Sequence, residues 1–281
     1  MKNILHEEIL NIYSKFSRKP GVLRELRGDE LIVSLTSYPP RFKRLPIVLE
    51  SLLRQTLKPS RICLWIAIND IQSLPDNVKS LQKRGIEICS CKDILSYKKI
   101  VPTLKESPNA IIVTADDDVI YPRGWLSSLY KAHLSHPEEI ICHRARRLTL
   151  NTERTAAPYR QWPNLKEEVS SLLVFPVGVG GVLYPPHCFD SRVLDEDSFM
   201  RLAAHGDDIW LKSMSLLNNV SCRKLSIYRK NFHELRHSQY TALRKENQRS
   251  RNDQQIDKVF YEFQINTMLT KFIRQGEIPH A

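Results

Sequence analysis

Short apolar runs alternate along this chain with longer stretches whose apolar residues recur every three to four positions. Leu31 to Leu35, Arg61 to Ala67, Ile86 to Cys89 and Ala110 to Ala115 read as strands. Between the first two, Leu45, Val48, Leu49, Leu52 and Leu53 share one face of a helix predicted from about Leu45 to Gln55, with Pro46 tolerated in its first turn. Further helices are predicted over Tyr97 to Leu104 and Gly124 to Leu134, and a further strand over Glu139 to Cys142. Strands that alternate with helices predict an α/β fold whose sheet is parallel with right-handed crossovers. Ligands of such sheets collect beyond the carboxyl ends of the strands, so Ser34 to Tyr38 and Asp116 to Asp118 should face one crevice. Two amphipathic stripes flank this pattern. Ile4, Leu5, Ile9, Ile12, Tyr13 and Phe16 form one, and Ile256, Val259, Phe260 and Phe263 the other. The chain thus divides into an N-terminal helical extension (1–30), a central domain (31–235) and a C-terminal basic and amphipathic helical segment (236–281).

Composition adds bounds. At 42% hydrophobic and 26% charged, the 281 residues resemble an ordinary globular protein and suffice for a sizeable core. No apolar run approaches the roughly 20 residues of a membrane span, and Met1 to Glu8 holds no leader-like apolar region, so a cytoplasmic protein is expected. Cys63, Cys89, Cys91, Cys142, Cys188 and Cys222 show no paired metal spacing and read as reduced thiols in or beside strands. The net charge of +11 is concentrated: from Arg223 to Arg251, nine Lys or Arg stand against two Glu. Such a run suits an anionic membrane or a polyanionic substrate, or simply a solvated face. Nucleic acid is the poorest candidate, because no zinc-finger, helix-turn-helix or ribonucleoprotein pattern is present.

The most pointed chemistry lies at the end of the fourth strand. There an apolar run stops at three consecutive carboxylates, Asp116, Asp117 and Asp118. Adjacent anions raise one another's pKa unless a cation sits among them. Asp116 and Asp118, two apart on an extended chain, point to the same side and suit a hard divalent ion. A solvated acidic turn is the alternative.

With these residues in view, Val33 to Pro40, Ser96 to Leu104, Ile111 to Asp118 and Gly206 to Trp210 together resemble bacterial glycosyltransferases of the GT-A type, in the broad family 2 style. The resemblance spans roughly residues 30 to 235. It implies a GT-A-like nucleotide-binding fold, with a mainly parallel central sheet flanked by helices. It also implies transfer of a sugar from a nucleotide-sugar donor to a saccharide or lipid-linked acceptor, with inversion. Capsule or lipopolysaccharide synthesis at the inner face of the cytoplasmic membrane is the implied setting. The triplet matches that family's DXD motif, which implies manganese or magnesium on Asp116 and Asp118 and the donor diphosphate beside Asp116 and Asp117.

Other donor contacts follow from chemistry. Lys98, Lys99 and Arg41 are candidate phosphate cations, Thr36, Ser37 and Tyr38 candidate base and ribose contacts, and Asp93 a candidate nucleobase reader. Surface lysines and turn formers are the competing readings. Gly178, Gly180 and Gly181 let a backbone approach a ligand closely or form a bulge, but lack a dinucleotide fingerprint. By resemblance, Gly180, Gly181 and Trp210 line the sugar and acceptor pocket. Asp207 and Asp208 open an apolar helix, where an Asp can serve as N-cap. By similarity to inverting enzymes one of them is the acceptor base, with Asp208 preferred, although the family's Glu-Asp is Asp-Asp here. His233 and His237 are surface histidines or, by the same likeness, metal ligands, with His233 preferred. Two other classes remain open: a nucleotidyltransferase acting on sugar phosphates, and a non-catalytic basic protein that binds membrane or polyanion.

Overall fold

The computed structural model describes residues 2–23, 30–227, 232–235 and 251–274. Much of the basic run after residue 227, with His237, lies outside them. The chain begins with helix α1 (Lys2–Phe16). Strand β1 (Leu31–Thr36), helices α2 (Pro39–Phe42) and α3 (Leu45–Leu53) and strand β2 (Arg61–Ala67) follow. Next come α4 (Asp76–Lys79), β3 (Ile86–Cys91), α5 (Val101–Glu106) and β4 (Ile111–Ala115). The middle of the chain supplies β5 (Val119–Ile120), α6 (Trp125–Ser135), β6 (Ile140–Cys142), β7 (Ala145–Arg147), β8 (Val169–Ser171), β9 (Val174–Pro176) and β10 (Val182–Tyr184). Helices α7 (Glu196–Ala203) and α8 (Asp207–Leu217), strands β11 (Cys222–Lys224) and β12 (His233–Glu234), and helices α9 (Asn252–Glu262) and α10 (Ile265–Arg274) complete it.

One eight-stranded sheet, in the order β3-β2-β1-β4-β10-β6-β11-β8, forms the middle layer of this α/β fold. Its first four strands are all parallel. Antiparallel β10 then enters between β4 and β6, and β11 lies parallel to β6 but antiparallel to β8. The parallel half is the part anticipated from strand-helix alternation; β10 departs from it.

Strand alternation assigns side chains to the two faces. Leu31, Val33 and Leu35 of β1 enter a core with residues of α1, α3 and α6, whereas Ile32 packs on the other side with Trp65 and Ile112. On that second side the Ser34 hydroxyl lies 2.8 Å from Thr103 Oγ1 of α5, which accepts the Trp65 indole N–H at 2.8 Å. A second core gathers Phe199 of α7, Trp210 of α8, Ile256 and Phe260 of α9 and Leu269 of α10. The C-terminal amphipathic stripe is therefore part of the main body. Helix α3 is buried on every face because α1 and the sheet enclose it. It stops at Leu53 rather than Gln55, whose amide instead donates to the carbonyls of Ser51 and Pro122.

Burying α3 encloses one charge. Glu50 is fully buried and receives Arg84 Nη1 at 2.5 Å and Nη2 at 3.3 Å, while Arg84 Nε donates to the Lys19 carbonyl. A buried guanidinium that loses its carboxylate retains its desolvation cost with nothing to offset it. Glu50→Ala is therefore expected to lose about 3 to 5 kcal/mol in urea unfolding. A loss under about 1 kcal/mol would show that Arg84 finds water instead.

Candidate active site

The carboxyl ends of β1 and β4 lie side by side, with Leu35 paired to Ala115, so the segments that follow them meet. Ser37 Oγ donates to Asp117 Oδ2 at 2.6 Å. Arg41, carried on the short α2, contacts Asp117 Oδ1 and reaches Asp118 Oδ2 at 3.1 Å. Its guanidinium also lies 5.5 Å from the centre of the Tyr38 ring. Burial opposes the charge on Arg41, but Asp117 and Asp118 hold its pKa above the ordinary arginine value. Asp117 is buried, and burial raises its carboxyl despite Arg41 and Ser37. The Asp118 carboxyl is pushed up to about 7, first by burial and then, against the pull of Arg41, by Asp116, Asp117 and Glu234. The backbone N–H of Asp116 donates to the buried Tyr121 hydroxyl at 2.8 Å, which fixes the start of the triplet.

Helix α8 brings the second acidic group to the same place. Gly206 occupies the N-cap position and makes no side-chain cap, so Asp207 is the first helical residue rather than the cap. Its Oδ2 lies 2.8 Å from Lys99 Nζ, which is also 3.1 Å from Asp116 Oδ1. Burial alone would lower the Lys99 ammonium, yet Asp116, Asp207 and Asp208 hold its pKa well above the ordinary lysine value. Asp208 Oδ2 accepts the Gly178 backbone N–H at 3.0 Å. Burial, and then Asp207, push the Asp208 carboxyl up to about 7, against the pull of Lys99 and the Gly178 bond.

These groups line one cavity of about 550 Å³, within the usual range for a small-molecule site. Of the residues anticipated from sequence, Thr36, Ser37, Tyr38, Arg41, Asp93, Lys98, Lys99, Asp116, Asp117, Asp118, Asp207 and Asp208 all face it. Several are already engaged. Thr36 Oγ1 donates to the Trp65 carbonyl at 2.8 Å, and Lys98 is paired with Asp93. That pair lowers the Asp93 carboxyl, whose burial acts the other way.

Four anticipated residues lie elsewhere. Trp210 is fully buried, its indole N–H donating to the Val193 carbonyl at 3.1 Å, so it builds the core under α8. Gly180 and Gly181 serve Trp125. The Gly180 carbonyl accepts the Trp125 indole N–H at 2.8 Å, and Gly181, at φ +76°, leaves a Cβ position only 2.4 Å from that ring. Gly178 and Val179 take their place on the cavity wall. His233 turns to α1, where its Nε2 lies 2.8 Å from Glu7 Oε1.

The neighbour of His233 faces the other way, as strand alternation requires. Strand β12 pairs with β5, Glu234 opposite Val119, and the Glu234 side chain joins the cavity near Asp118. Arg146 of β7 and Arg144 just before it, with Tyr159, form a further wall that sequence reading did not anticipate. The Arg144 guanidinium approaches Glu234 at 4.0 Å, and that of Arg146 stacks 4.8 Å from the Tyr159 ring centre.

The wall bears on a divalent ion. Asp116 and Asp118 are drawn to Lys99 and Arg41 rather than converged on one point. Among the described residues, Cys63, Glu87 and Cys89 form the one close cluster of three such ligand types, and it lies on β2 and β3. The cavity lining holds seven carboxylates and five Lys or Arg, a formal excess of two negative charges that is complete only above about pH 7, where Asp118 and Asp208 are ionised. Carboxylate oxygens of this kind are the hard donors that manganese and magnesium prefer.

No family profile matches the chain, and no curated protein does. A crystal structure described as S. aureus TarS 1-349 aligns with 72% of this chain at 14% identity and a TM-score of 0.47. The chain spans 59% of the length of that structure.

Proposed function

We propose that this chain is a metal-dependent glycosyltransferase that moves a sugar from a nucleotide-sugar donor to a hydroxyl acceptor, with inversion. One observation carries the reading: two acidic groups some ninety residues apart in sequence line one cavity and share a single buried cation, Lys99. Each group then has a distinct task. The Asp116 to Asp118 wall, with Arg41 and Lys99, receives the donor phosphates, and Tyr38, Thr36 and Asp93 border the space for the nucleoside.

A diphosphate brought against the Asp116 to Asp118 carboxylates and Glu234 is repelled unless a cation enters with it. Asp116, Asp118 and Glu234 are the residues that would hold it. When bound, the ion supplies Lewis-acid stabilisation of the departing diphosphate. Asp208 accepts the acceptor's proton as its oxygen attacks the anomeric carbon. A carboxyl raised to about 7 is matched to that task near neutral pH. The Gly178 N–H fixes which way the Asp208 carboxylate points, and Asp207 keeps Lys99 in place. The acceptor on this reading is a saccharide or a lipid-linked saccharide.

Thermal unfolding in the presence of UDP-, GDP-, CMP- and dTDP-sugars, each with manganese or with EDTA, tests the proposal. One donor is expected to stabilise the protein by about 2.7 kcal/mol at a hundred times its Kd, with manganese and not with EDTA. No stabilisation by any donor in either condition removes the proposal; equal stabilisation in EDTA removes its metal.

A further inference from the structure

Helix α1 is amphipathic in an unusual direction. Its inner edge, with Leu10 and Glu7 buried, packs on α3. Glu7 is held there by Arg44 and His233. The opposite edge is apolar as well and stands exposed among the described residues: Leu5 is 60% exposed, Ile12 57%, Phe16 77%, Tyr13 45% and Ile9 39%. At 100° per residue these five side chains fall within an arc of about 100°. They make up half of the large apolar side chains that stand exposed among the described residues. A concentration of this kind on one helix edge marks an interaction surface.

Charge selects what it meets. Lys15, Arg18 and Lys19 are exposed at the same end as Phe16, with Glu8 the exposed carboxylate of the helix. Arg54 stacks 4.0 Å from the Tyr13 ring centre and adds a fourth cation at the rim. A second copy of this chain, docked with the helices antiparallel, would set Lys15 beside Glu8 but leave Arg18 and Lys19 with no counter-charge from that helix. An anionic bilayer offers them counter-charge and offers the apolar edge the acyl boundary.

Position supports the same partner. The His233 that meets Glu7 is the immediate neighbour of Glu234 on the cavity wall, and Arg44 lies in the turn that follows Arg41. The helix is thus braced against the rim of the cavity. A surface held by α1 lies beside the cavity rather than behind it.

We propose that the outer edge of α1 inserts into an anionic lipid surface. Insertion buries Leu5, Ile9, Ile12 and Phe16, while Lys15, Arg18 and Lys19 meet the headgroups. This differs from a purely electrostatic attachment through the basic run near the C-terminus, because added salt should weaken it without abolishing it.

The test is cosedimentation of the full chain with vesicles of phosphatidylglycerol and phosphatidylcholine, and with phosphatidylcholine alone. The parent and the double variant Ile12→Gln/Phe16→Gln are compared, with circular dichroism and thermal unfolding run on both. Both side chains are exposed, so the variant is expected to fold as the parent does. The parent is expected to bind the anionic vesicles, and the variant to bind at least about tenfold more weakly. Equal binding by the two, or no binding by the parent, overturns the proposal. A concentration-dependent dimer that the variant dissociates, without vesicle binding, overturns it in favour of a second copy.

Discussion

Asp208→Asn is expected to lower kcat by about a hundredfold or more while the Kd for the nucleotide sugar stays nearly unchanged. The amide keeps the shape of the carboxyl and can still accept the Gly178 N–H, so the helix start and the cavity wall should hold. What disappears is the capacity to take a proton. In the parent, kcat/KM should rise with pH through about 7 and then level, because only the ionised Asp208 can act. In the variant that limb should be absent. Asp118→Asn should behave oppositely, weakening donor binding measured in manganese. Asp207→Asn should follow Asp118 more than Asp208, because its Oδ2 holds Lys99 at 2.8 Å and it does not cap the helix. Asp208→Asn with normal turnover would remove the assigned base.

Lys99→Met is expected to cost about 3 to 5 kcal/mol of stability, as much as Glu50→Ala. Methionine fills a similar volume, so the loss is not one of packing. It leaves Asp116, Asp207 and Asp208 around a position that no longer carries charge. The sign of the pH dependence follows. The Asp208 carboxyl, raised above its unfolded value even with Lys99 pulling it down, rises further without Lys99, so the folded variant binds more protons than the unfolded chain. Its stability is then retained at acid pH and lost as pH rises through the raised value. For Asp208, already at about 7 with Lys99 present, that loss extends past neutrality. Urea unfolding of parent and variant at pH 5 and pH 8 reads this directly, with the larger gap expected at pH 8. A gap that does not widen between the two would show that the carboxylates find water when Lys99 is removed.

The strands read from the apolar runs lie close to where the structure has them, β2 at Arg61–Ala67 included. Their pairing brings Ser37 and Asp117 together as the carboxyl-end argument requires. Local pattern was enough because these strands are short, buried and continuous. It failed where pairing is distant. Helix 97–104 divides into a tight turn over Leu95–Lys99 and α5, because Pro102 interrupts the bonding pattern just where Lys99 must reach Asp116 and Asp207. Strand β10 runs against its neighbours, and nothing in Val182 to Tyr184 encodes direction. The likeness to a known family puts Trp210, Gly180 and Gly181 at the pocket, whereas Trp210 packs under α8 and the two glycines lie against Trp125. Glu234 was overlooked for its neighbour His233. Two residues of strand are too few to show a period, although once β12 is recognised the alternation separates them.

The pairing of β12 with β5 also orders events during synthesis. Glu234 sits opposite Val119, the Leu235 N–H donates to the Asp118 carbonyl at 2.8 Å, and His233 meets Glu7, 226 residues earlier. At 5 to 20 residues per second, roughly 6 to 23 s separate the emergence of the triplet from that of its closing strand. Until then the nascent chain has an acidic strand end with no edge partner, and its first helix lacks one of its two clamps. The parallel half of the sheet can assemble from what has already been made, whereas the cavity wall is complete only once Glu234 has emerged.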